Sequence, residues 1–91
     1  MNKLQIFLAD DHTDFLAMVS RLIAAEFDVI QTFQDGQAVV DAADTLNCDL
    51  IVMDISMPGV NGIEAARQLK TAGCKAKVVF LTVHQDQDYV R

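Results

Sequence analysis

The chain has 91 residues, which suit one domain, and with 52% hydrophobic residues and a single Pro it carries enough apolar side chains for a packed core rather than a disordered coil. A formal charge of −6, from 13 acidic and 7 basic residues without a Lys/Arg cluster, excludes nucleic-acid binding by this chain alone. No apolar run approaches the roughly 20 residues of a membrane span and no signal-peptide pattern opens the chain, so the expected location is cytoplasmic, with no membrane partner.

In chain order, Leu4 to Ala9 reads as a short buried strand closed by Asp10 and Asp11. Thr13 to Glu26 follows as a helix with Thr13 as its N-cap and Phe15, Val19, Leu22 and Ile23 on one face. Asp28 to Phe33, rich in β-branched and aromatic residues, is a second strand. After Asp35-Gly36, the spacing of Val39, Ala43 and Leu46 predicts a second helix. The third strand, Leu50 to Asp54, leads through a Pro58-Gly59 turn into a helix from about Gly62 that carries Ile63, Ala66 and Leu69 inward and ends at Gly73. Val78 to Val83 is a fourth strand, apolar without alternation, which predicts burial on both faces. Gln85 to Arg91 only begin a helix.

Strand and helix alternate, the pattern of an α/β doubly wound parallel sheet with right-handed crossovers, in which ligands bind beyond the carboxyl ends of the strands. Asp10, Asp11, Asp54 and Thr82 all fall at such ends. Three carboxylates held together repel one another unless a cation shares the site or some are protonated. Hard oxygen ligands suit Mg²⁺. The competing reading, in which Asp10 and Asp11 merely cap the first helix and face water, stays open for the pair alone; Asp54, a lone carboxylate ending an apolar strand, favours a site. With its charge neutralised, Asp54 is positioned by type to act as a nucleophile toward a phosphoryl group, giving an aspartyl phosphate. Thr82 offers a hydroxyl donor to the phosphoryl oxygens, or is simply a β-branched strand residue, and His84 reads as a surface residue. Cys48 and Cys74 match neither a CxxC pair nor a zinc pattern and read as two reduced thiols. Both precede predicted strands, which places them at one end of the sheet.

Three segments in register, Phe7-Leu8-Ala9-Asp10-Asp11-His12, Ile51 through Gly62 and Val79-Phe80-Leu81-Thr82-Val83-His84, strongly resemble the receiver domain of bacterial two-component response regulators. Within that family the Ala-Asp-Asp-His start and the Leu-Thr-Val-His segment are similar to the LuxR/FixJ subgroup, whose members usually carry a C-terminal helix-turn-helix. The resemblance covers nearly the whole chain. It implies a CheY-like (flavodoxin-like) fold with strand order 2-1-3-4-5, of which this chain holds 2-1-3-4, and phosphorylation of Asp54 by a histidine kinase or phosphotransfer protein. It assigns Mg²⁺ to Asp11, Asp54 and the backbone carbonyl of Ser56, with Asp10 acting largely through water. Thr82 matches the switch residue, and Ser56 stands where many relatives have a larger polar residue, which leaves the phosphoryl lifetime open.

The family pattern continues with a fifth strand, a Lys at its end, an aromatic switch residue and a fifth helix, none of which falls within residues 1–91. On that basis the chain is read as an incomplete receiver domain that ends at the start of the fourth helix. Lys3, Lys70, Lys75 and Lys77 are all expected away from the site. Reduced phosphorylation follows as an expectation, as does self-association through the open edge of the fourth strand or by exchange of elements between protomers. Two other functions compete with a phosphoacceptor that switches a partner. A phosphohydrolase of the haloacid dehalogenase type usually needs a second acid two residues after its nucleophile, where this chain has Ser56, so an enzyme is not expected. A degenerate receiver acting only as an interaction or dimerisation module ranks above the enzyme.

Overall fold

A computed structural model describes residues 3–81, in the order β1 (Leu4–Ala9), α1 (Thr13–Ile23), β2 (Phe27–Phe33), α2 (Gly36–Ala43), β3 (Leu50–Asp54), α3 (Gly62–Thr71) and β4 (Lys77–Leu81). Thr82, His84, the continuation of the last strand to Val83 and the helix start at Gln85 to Arg91 lie outside the described residues. The four strands form one parallel sheet, as the alternation of elements predicts, in the order β2-β1-β3-β4 that the family resemblance implies. The chain is thus a flavodoxin-like, CheY-like α/β fold.

Alternation along β1 divides the interior in two. Phe7 and Ala9 face α2 and α3, packing with Phe33, Val39, Ile51, Met53, Met57, Ala65 and Leu69. Phe7 and Phe33 meet edge-to-face at a centroid distance of 5.0 Å, the arrangement the ring quadrupoles favour. Ile6 and Leu8 face the other way and are buried with Leu16 of α1. A register shift between Ile6 and Phe7 leaves Ile30 as an extra residue in β2, half-buried against the main cluster.

Several local expectations give way. Helix α1 ends at Ile23 rather than Glu26, and β2 begins one residue before the expected Asp28. His12, not Thr13, is the N-cap of α1, and its own side chain makes no capping bond. Leu22 is 71% exposed. The buried stripe runs through Leu16, Val19 and Ile23, and Leu22 lies about a quarter-turn off it. Helix α2 stops at Ala43, so Leu46 sits in the following turn, its N–H donating to the Ala42 carbonyl at 2.8 Å. In α3 the inward residues are Ala65 and Leu69, with Ile63 outward; Ala65 sits against Gly36 of α2, a contact that only a small side chain permits. Gly73, with φ of 83°, closes α3 as expected: its N–H bonds Lys70 O at 3.1 Å and that of Cys74 bonds Leu69 O at 3.0 Å, a Schellman turn.

The largest departure concerns β4. Its unbroken apolar run predicts burial on both faces, yet Val78 and Phe80 pack on the core while Val79 is 46% exposed. Helix α1 lies over β1 and β2, so among the described elements nothing covers that face of β4.

These burials predict opposite outcomes for two leucine truncations. Leu69→Ala should cost about 2–5 kcal/mol of stability in urea unfolding, whereas Leu22→Ala should change it by less than about 0.5 kcal/mol. Equal losses would contradict the packing described.

Candidate functional site

The parallel pairing of β1 with β3, Ala9 opposite Met53, brings the next residues of the two strands, Asp10 and Asp54, to one end of the sheet. Both are buried, at 5% and 7% exposure, and they are the buried charged residues among those described. Asp10 does not face water as a simple cap would. Its N–H bonds Phe33 O at 3.0 Å, extending the β1–β2 ladder by one rung. Its carboxylate oxygen Oδ1 accepts the N–H of His12 at 2.9 Å, an Asx turn that fixes the entry into α1.

The same oxygen lies 3.0 Å from His12 Nδ1, which is also 3.1 Å from Asp11 Oδ1. One ligand atom each from Asp10, Asp11 and His12 therefore lies within 4.8 Å of the other two, a spacing that a single cation spans. Asp54 is not a member of this close set, but it is electrostatically coupled to it. Burial raises the Asp54 carboxyl above the ordinary aspartate range, and Asp10 and then Asp11 push it further, against the lowering effect of the Ser56 and Ile55 backbone N–H groups. Of the three acids expected to converge, Asp10 and Asp11 stand in the close set, which His12 joins, while Asp54 is linked to them through its charge. Sequence reasoning quoted His12 only within a motif; its position directly after two acids was the available signal. The His12 imidazole is itself shifted upward, first by its hydrogen bond to Asp10 and then by the charge of Asp11.

The loop after β3 is held at both ends. Met57 is buried in the core, and Asn61 caps α3 by accepting the Glu64 N–H at 2.9 Å. Gly62 donates to Ile55 O at 2.8 Å, and a methyl group on Gly62 would overlap the Asp54 carbonyl oxygen, so only glycine permits this closure. Gly36, the first residue of α2, bonds Val60 O at 3.1 Å, while Asp35 caps that helix. Ser56 is exposed in this loop, two residues beyond Asp54. Thr82 follows Leu81, the β4 partner of Asp54, and lies outside the described residues.

No lysine shares this end of the sheet. Lys3 donates to Ala24 O at 2.8 Å, Lys70 lies in the last turn of α3, and Lys75 and Lys77 stand at the start of β4. That opposite end carries a concavity of about 750 Å³ lined by Cys48 and Cys74, both free thiols, which sequence position had placed together. Burial pushes the Cys48 thiol up to about 11, so it is not a nucleophile at neutral pH. No helix among the described residues is long and apolar enough to cross a membrane.

Residues 6–91 match the family model of the response regulator receiver domain. The chain is 43% identical over 91 residues to the transcriptional regulatory protein DegU of Brevibacillus brevis, covering 98% of this chain and 39% of that protein. It is 36% identical over 88 residues to the transcriptional regulatory protein DesR of Bacillus subtilis, covering 94% and 43% respectively. Among solved structures it is similar to the signal receiver domain of NarL from Mycobacterium tuberculosis, with a TM-score of 0.86 at 22% identity, covering 97% of this chain and 73% of that one. The chain spans about two fifths of the length of the curated relatives it matches.

The raised Asp54 carboxyl has a defined pH signature. Its ionised form is disfavoured in the folded state, so the resulting penalty is present above the folded-state pKa and fades as pH falls through it toward the unfolded value near 3.9. In EDTA, Asp54→Asn should raise the urea midpoint at pH 7, with a gain that shrinks toward pH 4. A gain independent of pH would show that repulsion is not its source.

Proposed function

The chain belongs to the response regulator receiver domain family, and from that premise we propose that it is a phosphoacceptor module, with Asp54 as the acceptor, that switches a partner or an attached output domain. The observation that carries this reading is the buried carboxylate of Asp54 at the carboxyl end of β3, beside the buried Asp10. The donor set fits a hard divalent ion: Asp10, Asp11 and Asp54 are oxygen ligands whose repulsion a cation relieves. In this reading Asp11, Asp54 and the Ser56 carbonyl would hold Mg²⁺, with Asp10 acting through water, and the ion would supply the positive charge that lets a phosphoryl group approach three acids.

The rest of the chemistry falls to the chain. An Asp54 carboxylate oxygen attacks the phosphorus of a phosphohistidine on a kinase or phosphotransfer protein. The P–N bond breaks, the imidazole keeps the electron pair and takes up a proton, and an acyl phosphate forms on Asp54. The Ser56 and Ile55 N–H groups favour the ionised nucleophile. Thr82, by its position in the sequence, supplies the hydroxyl that follows the phosphoryl group. The whole chain acts as a single receiver domain in the cytoplasm, without turnover as an enzyme. Regulation of transcription belongs to an output domain like those of its longer relatives and not to this acidic chain.

Two further parts of the proposal concern residues 1–91 as a polypeptide. None of its four lysines stands at the Asp54 end of the sheet, so none of them offers a charge-assisted hydrogen bond to a phosphoryl group there. Edge strand β4, with Val79 exposed, recruits a second copy. A degenerate receiver that only binds partners is the second reading.

Incubation with Mg²⁺ and acetyl phosphate, followed by intact mass measurement, separates these readings. A single phosphoryl addition that Asp54→Asn abolishes supports the phosphoacceptor; no addition at any donor concentration supports the degenerate module. In light scattering, the 91-residue polypeptide should show a mass above monomer at high micromolar concentration, and a strictly monomeric mass refutes the edge-pairing proposal.

A further inference from the structure

Cys48 lies in the turn between α2 and β3, and Cys74 in the turn between α3 and β4. The pairing of β3 with β4 sets these turns side by side: Leu50 stands opposite Lys77, and the Lys77 N–H donates to Asp49 O at 3.1 Å. Carried back at the same register, Cys48 falls opposite Lys75, the residue after Cys74. In a parallel ladder, positions offset by one residue have Cα atoms about 6 Å apart, within the span that a disulfide bridges. The two side chains also share a side of the sheet. Both are half-buried against the cluster that contains Ile51, Met53, Ala65 and Leu69, and both line the same concavity. The charge of Cys74 is the second cause, after burial, of the raised Cys48 thiol, so the two sulfurs sense each other.

We propose that Cys48 and Cys74 are a redox-sensitive pair that a peroxide closes into an intramolecular disulfide, a clasp between the α2–β3 and α3–β4 turns. With the Cys48 thiol held protonated by burial, Cys74 is the sulfur that begins the reaction. It attacks one peroxide oxygen, the O–O bond breaks, one water leaves and Cys74 becomes a sulfenic acid. Cys48 resolves this intermediate. Its sulfur bonds the Cys74 sulfur as the S–O bond breaks, and its proton departs with the Cys74 hydroxyl as a second water. Each sulfur loses one electron, and the peroxide is reduced to two waters. Adjacency in the fold supplies the effective concentration that a protonated thiol needs for this step. The closed ring contains β3, Asp54, its loop and α3, so the bond restrains the unfolded chain and ties edge strand β4 to its neighbour. None of this depends on whether Asp54 accepts a phosphoryl group.

The test treats the reduced wild-type chain with hydrogen peroxide, blocks remaining thiols with N-ethylmaleimide in denaturant and maps the peptides by mass. Before oxidation both cysteines should carry maleimide. After it neither should, the Cys48 and Cys74 peptides should be joined within one chain, and dithiothreitol should restore both additions. The urea midpoint of the oxidised chain should exceed that of the reduced chain and return to it on reduction. Dimedone, which traps sulfenic acid, should label Cys74 in Cys48→Ser and leave Cys48 unlabelled in Cys74→Ser. Maleimide on both cysteines after peroxide overturns the proposal, as does a disulfide found only between chains. A midpoint that fails to rise also overturns it, because the bond then forms only by distorting the fold. Dimedone on Cys48 instead of Cys74 overturns the order of the two steps.

Discussion

Everything at the functional end of this molecule follows from the repulsion between carboxylates that two parallel strands hold side by side. The pairing of β1 with β3 leaves Asp10 and Asp54 no freedom to separate, since each is the residue at which its strand runs out and each is buried. Burial first, and the charge of Asp10 second, disfavour the ionised form of Asp54 and hold its carboxyl above the ordinary aspartate range. The negative field of such an arrangement is one that a bound cation relieves.

The scaffold resists relaxation of this conflict. Phe7, Ala9, Ile51 and Met53 are fully or almost fully buried under α2 and α3, so neither strand can slide to part the acids without exposing the core. The loop after Asp54 is fastened by Met57 in the core, by the Gly62–Ile55 bond and by Asn61 at the start of α3. Strain is thus held between a rigid sheet and a pinned loop. By contrast, the far side of β4 is only partly covered among the described residues, and the other sheet face depends on α1 alone.

The family resemblance drew attention to the three aspartates, and the coordinates add an imidazole in contact with two of them. His12 was in view as a letter of a motif, yet its reach to both Asp10 and Asp11 depends on the Asx turn, a three-dimensional feature with no separate signature in the sequence. Leu22, Leu46 and Ile63 teach the complementary lesson. Each is apolar at a helical spacing, but which edge of an apolar stripe is buried depends on where the neighbouring element lies, and each of these three lies on the exposed side or beyond the helix end.

By itself the sequence determined the alternation of elements, the parallel sheet and the placing of Asp10 and Asp54 at the carboxyl ends of strands, through hydrophobic period, turn residues and right-handed crossovers, while the strand order followed from the family resemblance. It also determined the glycine closure at Gly73, whose positive φ ends α3, whereas the close backbone approach at Gly62 emerges only in the fold. Only the tertiary structure decided which residues of each amphipathic face are covered, that β4 is buried on one side, and that His12 rather than Asp54 completes the tightest ligand set. Those outcomes depend on the placement of α1 over β1 and β2 and on a turn of a few residues, and contacts between elements distant in sequence are not encoded in the local pattern of either one.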